Sequence, residues 1–525
     1  MNRDAGRFIG WALFASVLAV ECAIGYYLSA VVGVIPVDAN SRAASAHYVL
    51  FSRDPHLGAI GFVWNPLPSF LQLPIMALKP LYEPIASAAL SGVATTAIFA
   101  ATTAMLLYRN GIYFGLSRAW SVALAVLFAA NPFMLLYGAN GMSESIFACI
   151  IVYVVIQFTR WIDSRETHCL VGMGIGLTFA FLTRYEAVPL GAAVAVAVAL
   201  VVLADKDVRF RTTLRDRIAK TESVWLVVMT PMLFAIALWL LLNATIMGDP
   251  LYFYHSQYSN LAQTQTNEVN QEFVRLVGNP RLVFGYVVKK MAAFSVPLVV
   301  MIAWRAFKGT LFRLDMLLLA GLLLSVPSLQ ILMLYQGSSN GFLRFFFYSL
   351  PVLAAWFPYE WKTQRKHVKK PRILAFAASL AFAVSAVWVG YILKDPVLAP
   401  EEADVLSLDR SATLESGRIA VEIADYLDRN HPNETVLMDT FSAFRVNLTS
   451  AHPKRHIITS DYDFHDALAD PSGFGVDYVL VPKPEGITRL NALNVEYPEL
   501  YEKGEAWCEL EHDFDGKWRL YRVIR

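Results

Sequence analysis

The residue best placed to do chemistry in this sequence is Asp38, just after the first long apolar run (Phe8 to Val34). The stretch from Pro36 to Pro74 adds the bases Arg42, His47 and His56, and a rigid Trp64-Asn65-Pro66-Leu67-Pro68 segment. A carboxylate at the mouth of a membrane helix sits where water meets lipid headgroups. There it can take a proton from an acceptor hydroxyl, provided it lies within hydrogen-bond reach. The plainer role is an N-cap, since Pro-Val-Asp-Ala-Asn-Ser suits a helix running from about Asn40 to Phe51.

Other polar residues recur at run ends. Glu144, in Asn140-Gly-Met-Ser-Glu-Ser, opens a helix and either complements its free N–H groups or supplies a second carboxylate to a site. Thr183-Arg184-Tyr185-Glu186 separates two short runs; it is either a local pair or an anchor for a phosphate or an acceptor. Arg344 stands in the aromatic run Gly341-Phe-Leu-Arg-Phe-Phe-Phe. It either snorkels to the surface or clamps a lipid phosphate with its planar fork. His255, in Gly248-Asp-Pro-Leu-Tyr-Phe-Tyr-His, is the weaker candidate, and Trp64-Asn65-Pro66 reads first as an interfacial turn.

These residues need elements to hold them. The 525 residues are 56% apolar with mean hydropathy +0.45, too apolar for a chain with one water-facing core. Eleven apolar runs, near 8–34, 84–107, 119–138, 143–159, 168–183, 187–204, 222–243, 282–304, 314–335, 342–359 and 372–393, predict membrane helices. Five connecting loops (108–118, 160–168, 205–220, 304–313 and 360–372) are rich in Arg and Lys, which predicts that they face the cytoplasm. An odd number of spans then puts the N-terminus inside and the C-terminal part outside. Asp38, His56, Asn65, Glu144, Arg184, Glu186, His255 and Arg344 all fall on the opposite, external set of ends. Charged groups at membrane depth are costly and mark function by default. The first run is too long for an ordinary signal-peptide core, so an uncleaved first helix is expected.

The net charge of +1 conceals a split. From Asp395 onward there are 25 acids and 13 bases, leaving an excess of 13 positive charges before it. This divides the chain into a transmembrane domain (1–394) and an acidic extracytoplasmic domain (395–525). In the latter, a helix over Ala412–Arg429 and strands at Thr435–Asp439, His456–Thr459 and Asp477–Pro482 predict a small α/β layer. A hairpin turning at Asp515-Gly516 closes it. Loop 244–281, polar and rich in Asn and Gln, reads equally as a mobile lid or a solvated connector. The basic residues lie in short loops, so nothing points to nucleic acid. The four cysteines show no ligand spacing, so no disulfide frame or zinc site is expected.

Taken together, Asp38 after the first span, DPHLGAIGFVWNPLP, SES, TRYEA, GDPLYFY and the late Arg-aromatic run resemble the GT-C superfamily. These are integral-membrane glycosyltransferases that use polyprenyl-phosphate sugars, as protein O-mannosyltransferases and aminoarabinose transferases do. The resemblance spans about residues 8–393. It implies a bacterial inner-membrane enzyme with Asp38 as base; the apolar runs predict an α-helical polytopic bundle, and Glu144 is the second candidate catalytic carboxyl. Arg344, with Arg184 and Arg42, would hold the donor phosphate, and His56, Asn65, Glu186 and His255 would contact substrate. It implies hexosyl or pentosyl transfer to a glycan, lipid or protein acceptor, with inversion. Family members often pair acids in the first loop, whereas Asp38 is flanked by Val37 and Ala39, so no metal or other cofactor is expected. The rivals are a lipid-linked-sugar flippase, which favours mid-span charges and internal repeats, and a non-catalytic membrane scaffold.

Overall fold

A computed structural model describes residues 3–204, 213–266, 275–365, 372–408 and 411–524. Each of the eleven apolar runs contains a helix. Six are long and apolar enough to cross a membrane: Asp4–Val32, Leu90–Tyr113, Ser143–Ser164, Leu214–Met247, Leu314–Gln336 and Arg372–Ile392. Two bent pairs raise the number to eight, Arg118–Ala129 with Pro132–Ala139 (66°) and Pro280–Met291 with Ala293–Phe307 (58°). Thr167–Thr183, Ala187–Leu203 and Ser349–Arg365 have 17 residues each. At 1.5 Å per residue they reach about 25 Å, short of a hydrocarbon core of about 30 Å. Among the described residues, six to eight of the eleven expected spans are thus long and apolar enough, and the other three runs form shorter helices.

Ser143–Ser164 is the central helix, buried at every residue from Ser143 to Val152. The peripheral helices present apolar side chains outward, among them Leu226, Leu233, Phe234 and Leu241 on one and Phe376, Leu380, Val384 and Val387 on another. Helices apolar on all sides suit a lipid surround, and the chain is an integral membrane protein.

The basic loops converge on one end of the bundle. Lys362 pairs with Asp163 at 2.6 Å, Arg365 donates to the Gly115 carbonyl, and Arg305 grips Glu360. The basic segments 205–212 and 366–371 lie outside the described residues.

The C-terminal part carries a five-stranded sheet: β1 (Val436–Met438), β2 (His456–Ile458), β3 (Tyr478–Pro482), β4 (Cys508–Phe514) and β5 (Trp518–Val523). The order is β2-β1-β3-β5-β4, parallel among the first three and antiparallel thereafter. Asp515 and Gly516, both at positive φ (53° and 63°), make the tight β4–β5 turn, in which the Lys517 amide donates to the Phe514 carbonyl at 2.9 Å. Side chains alternate across the strands. Val436 and Met438 join the core that is continuous with the bundle, while Leu437 faces a second core under the other helices.

This part is docked on the Asp38 end. The Val37–Phe51 helix packs on Thr440–Thr449, and Arg53 bridges Asp461 and Asp463. Loop 244–281 joins the same contact: Tyr258 donates to Asp439 at 3.1 Å and stacks on Phe441. Residues 267–274 of that loop lie outside the described residues.

Candidate functional site

The helix after the first span starts at Val37, three residues earlier than the sequence predicts, with Pro36 at the cap position and no side-chain cap. Asp38 therefore lies inside the first turn and is not a cap. Its carboxylate Oδ2 meets Arg344 Nη2 at 3.0 Å. Arg344 rides on a short 3-10 turn, Leu343–Phe345, and its guanidinium lies over the Phe342 ring at 4.8 Å and the Phe345 ring at 5.5 Å. Flanking aromatic faces favour a cation in a partly dry site.

Glu144 is aimed from behind. Gly141, at φ +78°, turns the chain between Pro132–Ala139 and the central helix; a Cβ there would meet Ala39 and Gly92. Asn140 Oδ1 caps the turn by accepting from the Met142 amide. Glu144 then sits in the first helical turn, fully buried. Its Oε1 accepts from Arg184 Nη1 at 2.5 Å and lies 3.7 Å from Arg344 Nε. Arg184 leaves its helix in extended conformation and turns its fork to Ser143 and Glu186 (Nη2 to Oε1, 2.7 Å). Burial works to raise the Glu186 carboxyl, but the Arg184 guanidinium outweighs it and leaves Glu186 below the ordinary carboxylate range. The pair is a two-faced connector, because Arg184 also reaches Glu144.

Arg42, four residues after Asp38, is buried beneath the cluster with its guanidinium 5.8 Å from the centre of the Trp64 ring. Burial lowers it to about 10, with Asp38 countering and Arg184 adding to the drop. It therefore stays cationic at neutral pH.

Three of the predicted residues lie apart. His56 accepts or donates at the Asp54 carbonyl (2.7 Å) and stacks on Tyr462. Asn65 donates to the Phe181 carbonyl at 2.6 Å, tying the Trp-Asn-Pro turn to the bundle. His255 pairs with Asp249 on the exposed rim. Each is held by a local structural partner and makes no contact with Arg344 or Asp38 among those described.

Two carboxyls that the sequence did not single out complete the site. The short helix Pro400–Leu406, just after the last span, places Glu401 Oε2 3.0 Å from Arg344 Nη1. Glu402 accepts a hydrogen bond from Tyr137 at 2.6 Å. Burial raises Glu401 to about 8 against the pull of Arg344, and raises Glu402 as well. The cluster thus gathers three arginines (42, 184 and 344) and five carboxyls (Asp38, Glu144, Glu186, Glu401 and Glu402).

A cavity of about 240 Å³ opens in front of Arg344, lined by Asp38, Tyr137, Asn140, Glu401 and Glu402 among others. That is smaller than the roughly 300–1,000 Å³ of pockets that enclose drug-sized ligands. Arg42 Nη1, Arg344 Nε, Glu144 Oε2 and Glu401 Oε2 make no hydrogen bond among the described residues. Buried polar atoms in stable networks are nearly always paired, so this cluster has unused hydrogen-bonding capacity, and of its members Arg344 and Glu401 line the cavity. A third missed acid, Glu21, lies buried in the first span with both carboxylate oxygens unpaired among the described residues. It packs on Gly138, where a Cβ would meet the carboxylate at 2.6 Å. At the opposite end, ligand atoms of Glu166, His168 and Cys169 lie within 4.8 Å of one another, well away from Asp38.

No protein-family model matches the sequence, and no curated protein does. The fold, a helical membrane bundle with a small C-terminal sheet, nevertheless has a solved counterpart. Among solved structures the chain is similar to ArnT from Cupriavidus metallidurans bound to undecaprenyl phosphate. The match covers 98% of both chains at 13% identity, with a TM-score of 0.52. It is also similar to the same protein in the apo state, over 98% of both chains at 12% identity and a TM-score of 0.49.

Proposed function

We propose that this protein moves a sugar from a polyprenyl-phosphate donor to an acceptor hydroxyl at the extracytoplasmic face of the membrane. The observation that carries this reading is the 3.0 Å approach of Asp38 to Arg344 at the wall of a cavity, in a chain with the GT-C fold. ArnT, with that fold, is known bound to undecaprenyl phosphate.

Asp38 is the base. It takes the hydroxyl proton as the acceptor oxygen bonds to the anomeric carbon and the bond from that carbon to the phosphate oxygen breaks on the opposite side. The sugar is inverted and the lipid phosphate leaves as a stable anion. Such a leaving group needs charge stabilisation more than a proton, which Arg344 supplies directly and Arg184 and Arg42 support. One base and the arginines then suffice, unlike the carboxylate pair that brackets a glycosidic bond in hydrolases. Glu144 holds both Arg184 and Arg344 in place. The basic loops put the other end of the bundle in the cytoplasm, and residues 395–525 form an external domain.

Membranes containing the protein, given a radiolabelled polyprenyl-phosphate sugar and an extract of envelope glycans and lipids, should transfer label to an acceptor. Glu21 favours a second reading, in which the chain moves its lipid across the membrane, since a mid-span acid is a common transport element. Label crossing the bilayer without transfer selects that reading.

A further inference from the structure

Two of the three acids around Arg344 approach it at 3.0 Å, yet only Asp38 is needed as a base. The second, Glu401, comes from outside the bundle. It is delivered by Pro400–Leu406, and that short helix is clamped at its far end: Asp404 accepts from the amides of Ala412 and Thr413 and from the hydroxyls of Ser411 and Thr413. Its near side is held by the Tyr137–Glu402 hydrogen bond. The segment is thus fixed on both sides, with Glu401 alone directed at the cation. Its contact is a 3.0 Å ion pair at the Nη1 corner, and Oε2 makes no hydrogen bond there among the described residues. A carboxylate lying loosely against an arginine fork occupies the position an anionic ligand oxygen would take.

Resting on the phosphate-binding reading of Arg344, we propose that Glu401 is an internal stand-in for the donor phosphate. It covers the Nη1 corner of Arg344 in the resting protein and must give up that corner for the donor to bind.

The surrounding charges decide how it yields. Glu401 is faced by Arg344 on the Leu343–Phe345 turn, by Asp38 on Val37–Phe51, by Glu144 on the central helix and by Tyr137 on Pro132–Ala139. Glu402 and Asp404 lie on its own helix, and Lys290, whose ammonium donates to the Gly341 carbonyl, lies behind. An ionised Glu401 and an incoming phosphate both need the same cation, and Asp38 and Glu144 repel both. Protonation releases Arg344 without moving the backbone. Burial already holds the Glu401 carboxyl at about 8, so the switch falls in an accessible range. Below that value Glu401 is neutral and the donor meets a free fork; above it, binding competes with an anion.

The test is the affinity of purified full-length protein in lipid nanodiscs for undecaprenyl phosphate between pH 7 and 9, above the second ionisation of a phosphate monoester near 6. Wild-type affinity should fall about tenfold across this interval, as one proton with a pKa of about 8 requires. Glu401→Gln should bind more tightly at pH 9, by about tenfold, and lose the pH slope. Glu401→Asp should restore the slope. Arg344→Gln should weaken binding at every pH. A flat wild-type profile, which needs no variant to observe, overturns the proposal. So does a Glu401→Gln protein that keeps wild-type affinity and slope while Arg344→Gln still weakens binding; in that case the phosphate reading survives alone. If Arg344→Gln binds as wild type, the phosphate reading fails and the proposal with it.

Discussion

Two buried arginines, at opposite ends of the bundle, are held in opposite ways. Arg305 is saturated: Asp315 takes Nη1 and Nη2 at 2.8 and 2.7 Å, and Glu360 takes Nε and Nη2 at 2.7 and 2.5 Å. Both carboxylates are bidentate and no cavity adjoins them among those described. Arg344 has three acids around it, at 3.0, 3.0 and 3.7 Å, each touching one corner, with Nε unpaired and open space in front. Burying a charge is compensated only by close pairing and hydrogen bonding. Arg305 meets that condition and ties three segments at its end of the bundle together. Arg344 meets it only in part, so its remaining capacity is available to a ligand. The contrast separates a structural ion cluster from a binding one by satisfaction, not by burial, since both arginines are buried.

The largest effect that could sharpen this contrast is at Asp38. Asp38→Asn should slow sugar transfer by about 10²- to 10⁴-fold, the range for loss of a general base, with thermal unfolding close to wild type. Turnover near wild type would remove Asp38 from the chemistry. At the saturated end the cost should appear in stability instead. Arg305→Met strands two carboxylates and should destabilise by about 3–5 kcal/mol, read by thermal unfolding, while the protein that remains folded keeps its lipid-phosphate affinity. A change in that affinity would blur the division between the two clusters. Arg344→Lys keeps the charge and loses the fork. It should raise the donor KM by about 10- to 100-fold, equivalent to a charged hydrogen bond of about 1.5–3 kcal/mol, with kcat less affected. Smallest should be Asp163→Ala, which frees Lys362 at the partly exposed basic end. Its expected cost is about 0–1 kcal/mol, and a larger shift in the unfolding midpoint would show that this pair shares in the Arg305 cluster.

Asp38, Glu144, Arg184 and Arg344 were legible because each interrupts or ends an apolar run, and run ends on one side of a membrane must meet. Arg42 was visible only as a base in the Pro36–Pro74 stretch and through the family resemblance, and its depth beneath Trp64 was not. The sheet was legible from its short apolar runs, and the hairpin from Asp515-Gly516. Glu401 was hidden because it lies in an acidic segment, where Pro-Glu-Glu-Ala-Asp reads as solvated; only the fold returns that segment to the bundle. Arg305 and Glu360 were read as loop charges, because basic loops at a cytoplasmic boundary explain themselves without burial. His56, Asn65 and His255 share polar character with the residues of the cluster, and sequence alone did not show the carbonyls, ring and carboxylate that hold them. Glu21 was in plain view in the first run, and its being a single charge in a long apolar stretch hid it.

The most direct test is a density map of the protein in lipid nanodiscs with undecaprenyl phosphate bound. The account predicts phosphate oxygens within about 3.2 Å of the Arg344 guanidinium, Glu401 drawn back from Nη1, and Asp38 facing the same cavity. Phosphate bound at the Arg305 end, or bound elsewhere with the Arg344–Glu401 contact intact, would contradict it.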